Sequence, residues 1–264
     1  EIQKLLNLFN SKNFLKTEII AKRLIDENPK IAFLYNILGL ALTEQKKNDE
    51  AIKWYNLGIK INPDYAMIYN NLGNIFKQKE EYQKAENYYK KSINLNRNIS
   101  EPHNNLGNLY TIMNKHKEAI SCFKEAIKIN DNFFFSYYNL GTTYKSLGEF
   151  KKAEESLEKC IKLNSNFFSA HRTLSQLIKY KSKDNPHYKK LVEIKENEKI
   201  DVSFKTEIMF ALGKALDDMK DFDEAFKFYS LGNSLRKKQI NFSLDEEKNI
   251  FKKIKKTFNK ESIK

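Results

Sequence analysis

Four glycines, Gly39, Gly73, Gly107 and Gly141, stand 34 residues apart, and each follows a leucine: Leu38, Leu72, Leu106 and Leu140. A fixed period of this length marks one supersecondary unit copied in tandem, so it limits the fold more than any other feature of the chain. Ala51, Ala85, Ala119 and Ala153 keep the same step, as do Tyr55, Tyr89, Phe123 and Leu157, and Tyr35, Tyr69, His103 and Tyr137. With each unit numbered from Ala32, Ala66, Ser100 and Phe134, the apolar positions 4, 7, 8 and 11 share one helical stripe and 20, 24 and 27 another. Each unit therefore reads as an antiparallel helix pair, with the small residues at 8 and 20 letting the two helices approach closely. Pro63, Asp64, Asn98 and Asn132 punctuate the junctions. One hairpin cannot bury its apolar face alone, so the units must stack into a solenoid. Composition agrees, because eight glycines and four prolines in 264 residues are too few to turn a β-rich chain.

On Leu38-Gly39, Ala51, Pro63 and their later equivalents, the sequence resembles the tetratricopeptide repeat (TPR) family. The resemblance implies an all-α, right-handed superhelical solenoid of antiparallel helix pairs. Four regular units are expected over 32–165. A terminal unit is expected over 206–239, where Leu212-Gly213, Leu216, Ala225 and Tyr229 fall at the same offsets. Gly213 follows Gly141 by two periods plus four residues, so 166–205 reads as an irregular unit with an insertion near 181–186. Leu5, Leu8, Ala21, Leu24 and Pro29 fit a degraded or truncated unit over 1–31. Ser243-Leu244-Asp245-Glu246 reads as a capping box opening a last helix. Its stripe Leu244, Phe251, Ile254 and Phe258 suits a cap over the final hairpin, making 240–264 a basic capping helix and tail, with a membrane-surface helix as the alternative because lysines fill its other face.

The formal charge is +13, and from position 233 onward ten lysines and arginines face four acids. A basic tail suits an acidic partner, an anionic surface or RNA, but nucleic acid is disfavoured because aromatic interleaving is confined to Phe251 and Phe258. No apolar run reaches the roughly 20 residues of a membrane span, so no membrane partner is expected. Cys122 and Cys160 lack ligand-like neighbours, which suggests neither disulfide nor zinc and fits a reducing, cytoplasmic setting. His103 and His171 both occupy position 4 and read as packed core residues, whereas His116 and His187 read as turn residues. The acidic run 217–224 reads as a solvated turn. With single glycines 34 apart there is no phosphate loop, so the segment is expected to be neither catalytic nor cofactor-dependent.

Asparagine is the remaining signal. On the first helix of each unit, positions 2, 5, 9 and 12 share a face, with position 6 at its edge. Position 5 holds Asn36, Asn70, Asn104 and Tyr138; position 6 holds Ile37, Asn71, Asn105 and Asn139; position 9 holds Leu40, Asn74, Asn108 and Thr142. Asparagine is a mediocre helix former, so a row of it within helices costs stability. A carboxamide carries both a donor and an acceptor, as a peptide group does, so the row can hold an extended chain by its backbone. At roughly 0.5–1.5 kcal/mol per hydrogen bond, two bonds on each of three rungs give about 3–9 kcal/mol before ordering costs, or micromolar binding at best. Selectivity would come from Phe33, Met67, Phe135 and Tyr138 and from Lys77 and Lys145 at position 12. The alternative is that the asparagines cap neighbouring backbone groups or reflect an Asn-rich proteome. In the repeats of O-linked N-acetylglucosamine transferase, which this row resembles, position-6 asparagines hold substrate peptide. Asn71, Asn105 and Asn139 match that ladder, whereas Ile37, Thr173 and Ala211 depart from it. The two-carboxylate clamp of chaperone-binding repeats wants lysine at position 5, where this chain has asparagine.

The run FALGKALDDMKDFDEAFKFYSLGNSLRKKQ at 210–239, with the segment after it, resembles the junction at which bacterial repeats precede a sulfotransferase domain. Two readings stay open. One is a substrate-recruiting arm, covalently linked to a transferase domain and presenting a polypeptide to it; the other is a free-standing TPR adaptor or assembly factor.

Overall fold

The computed structural model describes residues 1–197, 201–240, 248, 249, 251 and 252. The described residues form helices and no strands, in two compact units, 1–163 and 164–264. The expected last helix from Ser243 lies mostly outside the described residues. No described helix is long and apolar enough to cross a membrane.

The first unit opens with a shortened pair, α1 (Ile2–Asn10) and α2 (Phe14–Glu27). Four regular pairs follow: α3 (Ala32–Glu44) with α4 (Asn48–Ile61), α5 (Ala66–Gln78) with α6 (Tyr82–Leu95), α7 (Ser100–Ile112) with α8 (His116–Ile129), and α9 (Phe134–Ser146) with α10 (Phe150–Leu163). Each first helix is 13 residues and each second helix 14, so the period of the sequence is the period of the solenoid. The recurrent glycine sits where the second helix presses an aromatic ring against the first: a Cβ on Gly73 would lie 2.6 Å from the Tyr89 ring, and one on Gly107 2.6 Å from the Phe123 ring. Tyr55, Tyr89 and Phe123 are fully buried in these joints, and Leu38, Tyr55, Leu72 and Ile75 belong to one continuous core.

Two local devices recur. Between the paired helices, position 15 adopts the left-handed conformation in every regular pair, at Lys46, Glu80, Asn114 and Gly148, with φ between 58° and 75°. Lys12 and Lys220 do the same in the first and last pairs. After each second helix an asparagine side chain folds over the next turn: Asn62, Asn96 and Asn130 accept from the backbone N–H two residues on, at 3.0–3.1 Å. These residues, two before Asp64, Asn98 and Asn132, make the junctions.

The second unit contains α11 (Phe168–Ser175), α12 (Pro186–Glu196), α13 (Val202–Asp218) and α14 (Phe222–Ile240). Helix α11 stops after 8 residues, and α12 starts at Pro186 behind Asn185, whose carboxamide caps the N–H groups of His187 and Tyr188. The 10-residue segment between them, 176–185, holds the insertion expected near 181–186. Helices α13 and α14 rebuild the regular joint, with a Cβ on Gly213 falling 2.8 Å from the Tyr229 ring.

The four-residue offset has a structural origin. Helix α13 begins at Val202, one period after Phe168, but runs 17 residues, one turn more than its counterparts. That extra N-terminal turn keeps α13 in step with α11, and the Leu-Gly joint to α14 lies one turn later.

Candidate functional site

Along the first helices of the regular pairs, the expected site residues fall into two groups. The first is buried and internally paired. Asn71 Nδ2 donates to Asn36 Oδ1 at 2.8 Å, Asn105 Nδ2 to Asn70 Oδ1 at 2.9 Å, and Asn139 Nδ2 to Asn104 Oδ1 at 2.9 Å. Position 6 of each unit thus donates to position 5 of the unit before it, 35 residues earlier. The hydroxyl of buried Ser136 adds a second donor to Asn104 Oδ1 at 3.1 Å, and Asn70 Nδ2 leans on Asn71 Oδ1 at 3.4 Å. Asn36, Asn70, Asn71 and Asn104 expose 6 % or less of their surface.

This arrangement explains polar side chains between packed helices: a buried carboxamide costs little only when bonded, and each asparagine here supplies a partner for another. Asn70, Asn71 and Asn104 hold neighbouring units in register. At the ladder's outer edge, Asn105 and Asn139 are half-buried and donate from Nδ2 into the ladder, and no donor to their Oδ1 atoms is seen among the described residues.

The second group faces outward. Asn74 is half-buried, and its Oδ1 accepts from the Tyr89 hydroxyl at 2.8 Å, which leaves its Nδ2 as a donor. Asn108 is half-buried, and no hydrogen bond to its carboxamide is seen among the described residues. Phe135 is 43 % exposed in a cluster with Phe134, centroids 4.1 Å apart, and Phe133 at 5.9 Å. Tyr138, Lys77 and Lys145 are half-buried. Burial lowers the Lys77 ammonium from its ordinary value, and no acidic neighbour raises it.

The second unit holds polar groups whose pairing the sequence did not disclose. His171 is fully buried, as its position implied, but His187 lies inside α12 rather than in a turn, and the two imidazoles meet. His171 Nε2 is 3.0 Å from the Ser165 carbonyl oxygen, His171 Nδ1 is 3.0 Å from His187 Nε2, and His187 Nδ1 is 2.6 Å from the Tyr180 hydroxyl. The carbonyl only accepts, so His171 carries its proton on Nε2, His187 donates from Nε2, and Tyr180 donates into His187 Nδ1. Burial lowers both histidines, and the neighbouring His171 pushes His187 further, to about 3. Histidine spacing gave only a faint hint, because His187 reaches the core through an insertion with no period.

The acidic run is likewise more than a solvated turn. Asp218 accepts from Lys214 at 2.5 Å, from Lys179 at 3.2 Å and from the Tyr180 N–H at 3.0 Å, while Asp221 pairs with Lys183 at 3.0 Å. Together they tie the insertion to α13 and α14. Burial would raise the Asp218 carboxyl, but its donors outweigh it and hold the group below the usual carboxylate range. Cys122 is half-buried and Cys160 buried, both as free thiols that burial pushes up to about 11 and about 12.

Family models for tetratricopeptide repeats match 39–79, 64–132, 134–167 and 206–239, together more than half of the chain. The chain belongs to the TPR family. These spans cover the regular array from its first Leu-Gly onward and the last pair, α13 and α14, and leave out the irregular stretch between them. Among curated proteins, none matches the sequence. Solved TPR structures share the fold. The protein described in a functional characterisation of Pseudomonas aeruginosa PilF is 20% identical over 84% of this chain and 97% of its own, with a TM-score of 0.63. The C-terminal part of a Cytophaga hutchinsonii TPR repeat-containing protein is 17% identical over 89% and 95%, at 0.60. YrrB, described as a TPR protein with an unusual peptide-binding site, is 18% identical over 78% and 96%, at 0.51. At these identities the likeness concerns fold.

Proposed function

We propose that the TPR array of the first unit is a protein-interaction scaffold that holds an extended polypeptide along the face made by positions 2, 9 and 12 of α3, α5, α7 and α9, with the outer edge of position 6. The observation that carries this reading is a row of polar groups unspent among the described residues, beside exposed aromatic surface: Asn74 Nδ2, the Asn108 carboxamide, and the Oδ1 atoms of Asn105 and Asn139, with Phe135 at 43 % exposure. A row that offers both donors and acceptors complements the two groups of every peptide unit.

Asn70, Asn71 and Asn104 support that row from beneath by fixing the spacing between units, and a pre-set spacing lowers the ordering cost of binding. Phe135 and Tyr138 would receive apolar side chains, and Lys77 and Lys145 would meet acidic ones. This reading is in keeping with the peptide-binding site of YrrB and with the resemblance to O-linked N-acetylglucosamine transferase repeats. It calls for no catalytic group and no cofactor, and the two free thiols fit a reducing, cytoplasmic setting.

The test is capture on an immobilised peptide array by the wild-type chain and by a variant carrying Asn74→Ala, Asn108→Ala and Phe135→Ser. These residues lie outside the buried ladder, so helical circular dichroism should be unchanged while capture falls at least about tenfold, the loss of two or more hydrogen bonds. Equal capture by both proteins refutes the assignment of this face.

A narrower reading, that the array recruits substrate for a covalently linked sulfotransferase-like domain, draws its support from the likeness of 210–239 to repeat–sulfotransferase junctions. The reading frame beyond Lys264 decides between this and a free-standing adaptor: a glycine-containing phosphate loop supports the transferase, and a stop codon rules it out.

A further inference from the structure

A cavity of about 320 Å³ opens on the regular pair α5/α6, lined by Tyr69, Lys84, Asn87, Tyr88 and Lys91, none of which belongs to the asparagine face. Tyr69 comes from position 4 of α5. The other four stand at i, i+3, i+4 and i+7 on one face of α6. Aromatic rings form the wall. Tyr69 and Tyr88 lie with centroids 6.5 Å apart, and Phe76 stacks on Tyr88 at 5.2 Å and 9°. The Tyr69 hydroxyl donates to the Pro63 carbonyl oxygen at 2.9 Å, so its ring is held in place before any ligand arrives.

The rim carries donors. The Lys91 ammonium lies 5.9 Å from the Tyr69 centroid and the Lys84 ammonium 5.3 Å from that of Phe76. Asn87 Oδ1 accepts from Gln83 Nε2 at 3.5 Å, and no acceptor for its Nδ2 is seen among the described residues. Glu81 pairs with Lys84 at 2.5 Å, whereas no ion pair to Lys91 is seen among the described residues. Ring walls favour a planar aromatic guest, and a rim of ammonium groups favours an anion. The volume is at the small end of ligand pockets, which fits a compact ring system with one substituent rather than a polypeptide segment. The combination does not recur along the array. Positions 19 and 26 hold Glu50 and Leu57 in the first regular pair, and Glu118 and Glu125 in the third. The fourth keeps both lysines, Lys152 and Lys159, but has Ser156 in place of Tyr88.

We propose that the α5/α6 pair binds a small planar aromatic anion, whose ring lies against Tyr69 and Tyr88 and whose carboxylate or phosphate meets Lys91, Lys84 and Asn87. An aryl carboxylate and a nucleoside monophosphate share this chemistry. The site is independent of the peptide-binding reading, because it uses a different face and different side chains.

The experiment titrates the 264-residue chain with naphthyl phosphate by isothermal calorimetry at physiological ionic strength, with naphthol supplying the ring alone and inorganic phosphate the charge alone. Naphthyl phosphate should bind at least about tenfold more tightly than either, as expected when ring contact and charge-assisted hydrogen bonds act together. Lys84→Met with Lys91→Met should remove the advantage over naphthol and leave helical circular dichroism unchanged, since both lysines are exposed. Lys152→Met with Lys159→Met takes the same charge from α10, where Lys152 pairs with Glu149 as Lys84 does with Glu81, and should change affinity by less than about twofold. Naphthoate and AMP, added as competitors, separate the two sources. Displacement by AMP identifies a nucleotide, displacement by naphthoate alone identifies an aryl carboxylate, and displacement by neither overturns the shared chemistry. Equal affinity for naphthol, equal loss in the two double variants, or failure of naphthyl phosphate to saturate the chain overturns the site and leaves the peptide reading standing.

Discussion

The regular array and the irregular pair α11/α12 solve one problem with different chemistry. In the array, each first helix is joined to the next by a neutral Asn–Asn bond spanning 35 residues: 36 to 71, 70 to 105, 104 to 139. Between α11 and α13 the same separation is spanned by an ion pair, with Arg172 Nη1 donating to both carboxylate oxygens of Glu207 at 3.1 and 2.8 Å. The Arg172 guanidinium also lies 4.8 Å from the Phe210 ring centroid. The helix-to-helix step is thus conserved while the group filling it is not. Beyond that step the two regions diverge. The array repeats its left-handed turn at position 15, whereas the stretch after α11 holds no left-handed residue and relies on the His171–His187–Tyr180 chain and on Asp218. A repeated joint needs one solution copied; an interrupted one needs separate polar partners for each group it buries.

If that contrast is right, acid should act on the second unit first. An unfolded imidazole titrates near 6.5, while His187 in the fold is held near 3 and His171 is also lowered. As the pH falls the unfolded chain therefore takes up protons before the folded one. The contribution is intact above about pH 6.5 and is lost toward about pH 3, at about 1.4 kcal/mol per pH unit for His187. Hydrogen exchange measured between pH 7 and 4.5 should show protection of α11 and α12 falling well before that of α5 to α8. His187→Phe should flatten the slope, and uniform loss across the chain would erase the contrast.

Next in size is the ladder. Asn104→Ala removes the acceptor of both Asn139 and the buried Ser136, and should cost about 2–3 kcal/mol in urea unfolding. Asn108→Ala, on the outer face, should stay within about 0.5 kcal/mol. Equal effects would mean that the ladder is not a joint. Arg172→Ala should cost about 2 kcal/mol, below the range for a fully buried pair because both side chains keep 23–29% exposure. A charge-neutral Arg172→Gln with Glu207→Gln should recover part of it. The smallest effect concerns the turns. Glu80 sits at φ 60°, where glycine carries no steric penalty, so Glu80→Gly should raise stability by up to about 1 kcal/mol in thermal unfolding.

The legible part of the site followed the repeat. Period alone puts positions 2, 5, 9 and 12 on one helix face with position 6 at its edge, and the glycine and aromatic joints follow from the same register. The division of the asparagines into buried and outward ones was not legible, because Asn70 and Asn74 are one turn apart on α5 and differ only in what the neighbouring helices bring to them: Asn105 reaches Asn70, and Tyr89 reaches Asn74. The histidine chain was hidden for a related reason. An insertion has no period, so nothing in the spacing of His171, Tyr180 and His187 announces that they converge.

The sequence by itself determined the helix pairs, their length, the close joints at Gly39, Gly73, Gly107 and Gly141, and membership of the TPR family, since all of these depend on periodicity within one unit. Only the tertiary structure decided which polar groups are spent and which remain. Hydrogen-bond pairing depends on the distance between units, and a carboxamide or an ammonium looks the same in the sequence whether its partner is another turn of the solenoid or a ligand.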